Sequence, residues 1–319
     1  MKRTCIVWLA TIMTWSCWSG CGADSNATAD GGADGSSSDL DSDTDGDADG
    51  DADGDGDGDG DGDSDSDADG DGGYSCRIVD VVIAVDGSGS MQEEQDAIRN
   101  TVFPAFAESL LQISDGLDDF RIATIDACPK PASFHTRGNG SECNFTGGNV
   151  WIESSSPNIN DEFACVGDIF LGDINCTGKN DDEQPASAAA ASLEPPVLNG
   201  ANAGFLRDDA LLVVIAITDE DEQPLPNGTA QQVFDRLVAV KGGDPKRMVF
   251  LGIGGGNGGC DNGAYGSADE ATKLRNITSL FEATQRGVWW DLCQGNLEDG
   301  LEAAFQVIEQ ACDELGPIV

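Results

Sequence analysis

One histidine, His135, is all that this 319-residue chain contains. A single imidazole cannot build a His-pair zinc motif, and it leaves one candidate for a Ser-His-Asp triad. That candidate lies in a Gly/Ser-rich stretch with no Gly-x-Ser-x-Gly motif nearby, so it reads as a surface residue and no catalytic role is assigned. Cys-x-x-Cys is also missing, which argues against a cysteine zinc site. Cations are scarce, with 16 Lys+Arg against 59 Asp+Glu. Lys and Arg drive binding to a phosphate backbone, so the balance argues against nucleic acid and favours divalent ions or cationic partners. The apolar run at residues 5–13 is too short to span a bilayer.

That run has the form of an export signal. Lys2 and Arg3 supply a positive start, and the apolar core leads into Trp18-Ser19-Gly20-Cys21. This ending resembles the lipobox of bacterial lipoprotein signals, with Trp18 standing where an aliphatic residue is usual. By that resemblance residues 1–20 are removed and Cys21 is lipidated, which anchors the chain without a transmembrane helix. Gly22 is compatible with sorting to the outer membrane. Cleavage after Ala27-Thr28-Ala29 is the alternative, and it would release a soluble secreted protein.

Residues 21–73 read as a separate linker. Residues 24–71 hold 20 Asp and no other charged residue, and every odd position from Asp39 to Asp71 is Asp. Nothing here can bury apolar surface to offset the entropy of ordering, so a disordered, self-repelling acidic stalk is expected. Fully extended, it would reach ~170 Å. Segments such as Asp45-Gly46-Asp47-Ala48-Asp49-Gly50 resemble the first half of an EF-hand or thrombospondin type 3 loop. The tract has no Glu to close such a loop and no flanking helical periodicity, so diffuse Ca²⁺ attraction is expected rather than a defined site. Without the tract and Lys2 and Arg3, 39 acidic and 14 basic residues remain. The rest of the chain is acidic in its own right.

From residue 74 onward the pattern is globular. Ile78-Val79-Asp80-Val81-Val82-Ile83-Ala84-Val85 and Ala210–Ile217 are nearly continuous apolar runs, as expected of strands buried on both faces of a parallel sheet. Further strands are expected at 120–125, 149–153, 247–253 and 287–292. Helices are expected at 92–113 (kinked at Pro104), 183–193, 229–241, 271–284 and 297–314. Strands alternating with helices predict an α/β fold over 74–319, a doubly wound, mainly parallel sheet with helices on both faces.

The first buried strand ends in Asp86-Gly87-Ser88-Gly89-Ser90-Met91, and the second in Thr218-Asp219. One carboxylate and two hydroxyls in a turn are hard oxygen donors, suited to Mg²⁺ rather than zinc. Ligands of open α/β sheets bind at the carboxyl ends of strands. The simpler reading of Ser90 is a helix cap. With both strand ends in view, this stretch resembles a von Willebrand factor type A domain, over residues 74 to about 314. The resemblance implies a metal-ion-dependent adhesion site with Asp86, Ser88, Ser90 and Asp219 as ligands and Mg²⁺, Mn²⁺ or Ca²⁺ as the cation. It also implies a Thr from another loop; Thr177 is the nearest candidate, with Asp173, Asp181 or Asp182 as substitutes. A partner Asp or Glu would complete the coordination.

Eight cysteines remain after Cys5, Cys17 and Cys21, an even count that suits four disulfides in an exported protein. Their connectivity is open. Cys76 and Cys312 flank the domain, and their pairing is known within the resembled family. Cys260 with Cys293 would staple the loops after two successive strands, leaving Cys128, Cys143, Cys165 and Cys176 to brace the region 126–180. Gly254, Gly256 and Gly259 match Gly-x-Gly-x-x-Gly after a strand, but Cys260-Asp261-Asn262-Gly263 continues the loop, so a flexible loop is expected instead of a dinucleotide fingerprint. The expected function is an exported, lipid-anchored binding or adhesion protein that engages a partner carboxylate through a divalent cation, and not an enzyme. The alternative is a structural subunit of a cell-envelope assembly.

Overall fold

β1, Ile78–Val85, is the central strand, and its side chains alternate between two buried layers. The structure is a computed structural model, described for residues 78–110, 117, 119–128, 132–138, 140–169, 183–222 and 228–315. All of these fall in one compact unit, Asp67–Val319. The signal, the lipobox with Cys21 and the whole acidic tract lie outside the described residues.

After β1 comes α1, Gln92–Ala97, then a π-helical turn, Ile98–Val102, and α2, Phe103–Leu110. The kink expected at Pro104 takes this form. Pro104 has no N–H to give to the carbonyl four residues earlier, so the ladder slips by one residue just ahead of it. Ile98, Val102, Phe106 and Leu110 still share one buried face. β2 follows at Asp119–Asp126. The next stretch holds a small hairpin, β3 Arg137–Gly138 with β4 Ser141–Glu142, then β5 at Ile152–Glu153 and α3 at Ile159–Val166.

α4, Pro185–Ser192, begins with proline at its first position, where no N–H is needed. β6 is Leu211–Ile217. α5, Ala230–Val240, opens on a reciprocal capping box between Thr229 and Gln232. β7, Met248–Gly254, leads to a second hairpin, β8 Cys260–Gly263 with β9 Gly266–Ala268. α6 Thr272–Glu282, β10 Gly287–Asp291 and α7 Leu297–Glu314 complete the chain.

The main sheet has the order β10-β7-β6-β1-β2-β5. All its pairings are parallel except that of β5 with β2. The central strands are fixed by apolar burial: all seven residues of β6 and of β7 are buried. On one face Val79, Val81, Ile83 and Val85 pack with residues of α2 and α7 such as Phe106, Leu301 and Phe305. On the other, Val82 and Ala84 pack with Ala186, Leu237, Leu274 and Phe281 from α4, α5 and α6. The chain runs outward from β1 to β2, then returns to place β6 on the opposite side of β1. The strand order therefore reverses between β1 and β6, which opens a crevice at their carboxyl ends.

Two disulfides are fully described, Cys143–Cys165 and Cys260–Cys293. The first braces the region between β2 and α4, as expected, and the second joins the β8 hairpin to the turn after β10. Cys128 and Cys312 are also disulfide-bonded. Cys76 and Cys176 lie outside the described residues. Disulfides of this number belong to an oxidising compartment, which fits an exported protein.

Two expectations are corrected. His135 is buried rather than on the surface. The segment at 132–136 runs beside β2, with the His135 N–H donating to the Thr124 carbonyl at 2.7 Å and Ala132 and Phe134 entering the core. The glycine-rich stretch after β7 is not a plain flexible loop. It enters a disulfide-stapled hairpin, and no helix opens after Gly256, which removes the dinucleotide reading. A Cβ at Gly259 would meet the Ala268 carbonyl oxygen at 2.4 Å, so this glycine is required by hairpin packing.

Candidate metal centre

Asp86 follows β1 directly, at the crevice, and four contacts hold it. Its N–H donates to the Ile217 carbonyl at 3.0 Å, tying it to the end of β6. Its Oδ1 accepts the Ser88 N–H at 2.7 Å, and its Oδ2 accepts the Thr218 hydroxyl at 2.9 Å. Gln95 of α1 donates to its carbonyl oxygen at 3.0 Å. The Ser88 and Ser90 hydroxyl oxygens lie 2.9 Å apart. Ser90 caps nothing: α1 starts after Met91 and has no side-chain cap. The helix-cap reading is therefore wrong, and the exposed Ser90 hydroxyl is held in the turn instead.

Asp219 comes from the neighbouring strand. Its carboxyl group faces Ser90 and Asp86, as the parallel pairing of β1 with β6 requires. Asp86, Ser88, Ser90 and Asp219 are thus brought together. Thr177 and its substitutes Asp173, Asp181 and Asp182 lie outside the described residues.

The electrostatics of the cluster are unfavourable as it stands. Burial pushes Asp86 up to about 7, outweighing the Ser88 N–H and the Thr218 hydroxyl, and the nearby Asp219 charge adds to the rise. Asp219 is raised as well, first by burial. Glu94 of α1, 1% exposed, is pushed up to about 7 by burial, with Asp219, Glu93 and Asp86 adding repulsion. Asp219 Oδ1 and Glu94 Oε2 are buried with no hydrogen-bond partner. Among the described residues no Lys or Arg bonds to any of the three. Buried carboxylates need a proton or a cation, and a divalent ion is the natural supply.

The donor set fits such an ion. Two carboxylates and two hydroxyls are all-oxygen ligands, and adjacent oxygens of an octahedral Mg²⁺ site stand ~2.9 Å apart. The Ser88–Ser90 separation has this value. Among the described residues no group of three or more His, Cys, Asp or Glu is placed as a metal cluster.

Four residues of the Thr218-Asp219-Glu220-Asp221-Glu222 stretch have distinct structural tasks. Thr218 orients Asp86, and Asp219 faces it. Asp221 accepts the N–H groups of Lys273 at 2.8 and 3.0 Å and of Leu274 at 3.2 Å, at the start of α6. Glu222, fully buried, accepts the Ala186 and Ser187 N–H groups at 2.9 Å, and the Ser187 hydroxyl, at the start of α4. Both carboxylates sit where helix N-termini favour negative charge. Burial nonetheless raises them, with the N–H groups acting the other way. The roles of Thr218, Glu94, Asp221 and Glu222 were not anticipated from sequence. A signal for Glu94 exists: it precedes Ile98 by four residues and so shares the apolar stripe of the helix.

No family model matches the chain, and no curated protein matches it. Among solved structures, proximal thread matrix protein 1 from the mussel byssus is 13% identical, with a TM-score of 0.41 over 75% of this chain and 49% of that one. Manganese-loaded TRAP protein of Plasmodium vivax is 13% identical, with a TM-score of 0.35 over 75% of this chain and 74% of that one. The pilus adhesin SpaC of Lactobacillus rhamnosus GG, in an open conformation, is 13% identical, with a TM-score of 0.38 over 74% of this chain and 30% of that one. This chain thus spans about half of the mussel protein. At these values the likenesses are too slight to bear on function.

Proposed function

We propose that this chain is an exported binding or adhesion module of the von Willebrand factor type A kind, which captures a carboxylate of a protein partner through a divalent cation. The observation that carries the reading is the convergence of buried Asp86 and Asp219 with the Ser88 and Ser90 hydroxyls, with no basic side chain bonded to them among the described residues, at the crevice between β1 and β6. Asp86, Ser88, Ser90 and Asp219 would hold Mg²⁺ or Mn²⁺, with Thr177 a further candidate. When bound, the ion supplies an electrophilic position for an incoming Asp or Glu oxygen.

The chain's own residues prepare that position. Thr218 and the Ser88 N–H fix the Asp86 carboxylate, so little reorganisation is needed on binding. Four protein donors leave an octahedral ion with positions open for water or for an incoming partner oxygen. Ser90 is exposed, so the cluster is open to a partner on that side. In this reading the module is held at the cell envelope by a lipid on Cys21 and spaced from the membrane by residues 21–73.

The test is a thermal melt of the oxidised protein with Mg²⁺ or Mn²⁺ added, beside Asp86→Ala and Ser90→Ala. Melting temperature is the right readout because the Asp-rich tract attracts divalent ions without affecting the fold. Stabilisation of the wild type that is lost in both variants supports the reading. Equal stabilisation of all three proteins, or of none, refutes it. The anchor is checked separately by mass spectrometry of the mature protein from its native host: an acylated Cys21 is expected, whereas a chain starting at Asp30 would mean secretion.

A further inference from the structure

Glu94 is a carboxylate that the four-donor site leaves unexplained. Met91, Glu94 and Ile98 follow one another at three- and four-residue spacing along α1 and its flanks, and all three are buried. That spacing marks the stripe of a helix that faces the core, where an acid is kept only with a partner. Glu93, one position earlier, is exposed. The same turn thus carries one acid in solvent and one underneath, and only the inner one needs an explanation.

The surroundings of Glu94 are those of the oxygen cluster. Of the charges near it, Asp219 acts most strongly, ahead of Glu93 and Asp86. Its turn is pinned to the cluster by the next residue, Gln95, whose side chain donates to the Asp86 carbonyl at 3.0 Å. Glu94 Oε2 and Asp219 Oδ1 are both buried, and both lack a hydrogen-bond partner. Two unmet acceptors, one from α1 and one from the loop after β6, point to a donor that the protein itself does not supply.

Nearby acids are treated differently. Asp221 and Glu222 are met by N–H groups of α6 and α4, and Asp291 by those of Gly256 and Cys293. The N–H that favours the Glu94 charge is its own. Direct ligation does not fit either: among the described residues Asp86, Asp219 and Glu94 do not form a group that could hold one ion together. A small divalent ion with few protein donors keeps water in its remaining positions, and the ion's charge makes that water a strong hydrogen-bond donor.

We propose that Glu94 is a positioning residue of the candidate metal centre, a buried outer carboxylate that accepts a hydrogen bond from water on the bound ion. This role rests on the reading of that centre given above. A carboxylate so placed adds negative charge without occupying a position on the ion, so the place for an incoming partner oxygen stays free. An amide of the same shape could still accept the bond but would not bring the charge. Were Glu94 a buried acid with no part in ion binding, replacing it would change stability but not metal dependence.

The test follows the melting temperature of the full, oxidised chain at pH 8 as Mg²⁺ or Mn²⁺ is added, for wild type, Glu94→Gln and Glu93→Gln. Stabilisation sets in where the ion concentration reaches the dissociation constant and then grows with its logarithm. Glu94→Gln should displace that curve about tenfold to higher concentration, the lower end of what loss of an outer-shell partner costs. Glu93→Gln removes the same charge from the exposed side of the turn, where solvent and salt screen it, and should leave the curve in place. All three proteins carry the same Asp-rich tract, so its diffuse attraction for ions cancels, and melting in EDTA reports the fold by itself. An undisplaced curve for Glu94→Gln overturns this role while leaving the metal centre standing. Equal displacement in both variants overturns it too, because net charge alone would then explain the effect. If neither ion stabilises the wild type, the metal centre falls and this role with it.

Discussion

Replacing Glu94 by Gln tests whether the oxygen cluster is under electrostatic stress. Glu94 is buried with an unpartnered Oε2, and its carboxyl is pushed up to about 7 from an ordinary 4.5. The sign follows from linkage. The folded state binds this proton more tightly than the unfolded chain does, so the contribution to stability is fully present below pH 4.5 and is lost as pH rises through 7. A shift of this size corresponds to about 3 kcal/mol once the group is ionised in both states. Most of that difference opens between pH 5 and pH 8. Glu94→Gln keeps the shape and removes the titration, so its stability should rise relative to wild type by about 2 kcal/mol on going from pH 5 to pH 8. In a domain of this size that is a relative gain in melting temperature of ~4–8 °C. A buried amide with an unmet hydrogen bond has its own cost, but that cost does not vary with pH. The assay is thermal denaturation in EDTA across this range. Parallel pH profiles for the two proteins would refute the argument, because they would show that Glu94 is solvated or paired in a way the structure does not contain.

Other consequences can be checked by similar means. Arg207 donates from Nε to Asp80 Oδ1 at 2.8 Å and bonds Asp119 as well, and Asp80 is fully buried. Arg207→Met should therefore cost about 3–5 kcal/mol in urea denaturation at neutral pH, and less near pH 5, where the Asp80 carboxyl, already raised by burial, can protonate; a loss independent of pH would contradict it. Replacing both Cys260 and Cys293 by Ser opens a loop with a sequence separation of 33 and should cost about 3–4 kcal/mol in the same assay, with no change if the bond is absent in the mature protein.

The parts of the fold that were legible in the sequence are those governed by local rules. The buried runs of β1 and β6 could pack only inside a parallel sheet, and the helix 297–314 matches α7 in full because its apolar spacing is regular. The position of the oxygen-rich turn at 86–90 was legible because it directly follows a buried strand, whose direction fixes its location. The hairpin β8–β9 and α3 were missed. The β8–β9 hairpin is polar and glycine-rich and α3 has only eight residues, and what orders them is long-range: the disulfides Cys260–Cys293 and Cys143–Cys165, and Glu162 of α3 accepting the Thr146 hydroxyl at 2.6 Å. No window of sequence contains those contacts. His135 was misplaced for the same reason, since its burial depends on a segment running beside β2 rather than on its own neighbours.

The acidic stretch after β6 shows how tertiary context separates residues that look alike. Asp219, Asp221 and Glu222 carry the same charge within four positions, yet one faces the oxygen cluster and the other two cap α6 and α4. Thr218 adds a bond to Asp86 from the same stretch. Four of these residues are thereby held by β1, α4 and α6 at once, so Asp219 cannot shift without disturbing two helix N-termini. A small octahedral ion tolerates little misplacement of its ligands. Such over-determined loops are the means by which a fold holds like charges close while no ion is bound, and the stress on Asp86, Glu94 and Asp219 is the counterpart of that rigidity. Adding a cation should therefore do little to the shape of this crevice and much to its stability, a distinction that amide hydrogen exchange in the 218–222 segment, compared with and without Mg²⁺, would draw: slower exchange at both helix starts is expected, and exchange unchanged there would mean that the caps do not feel the ion.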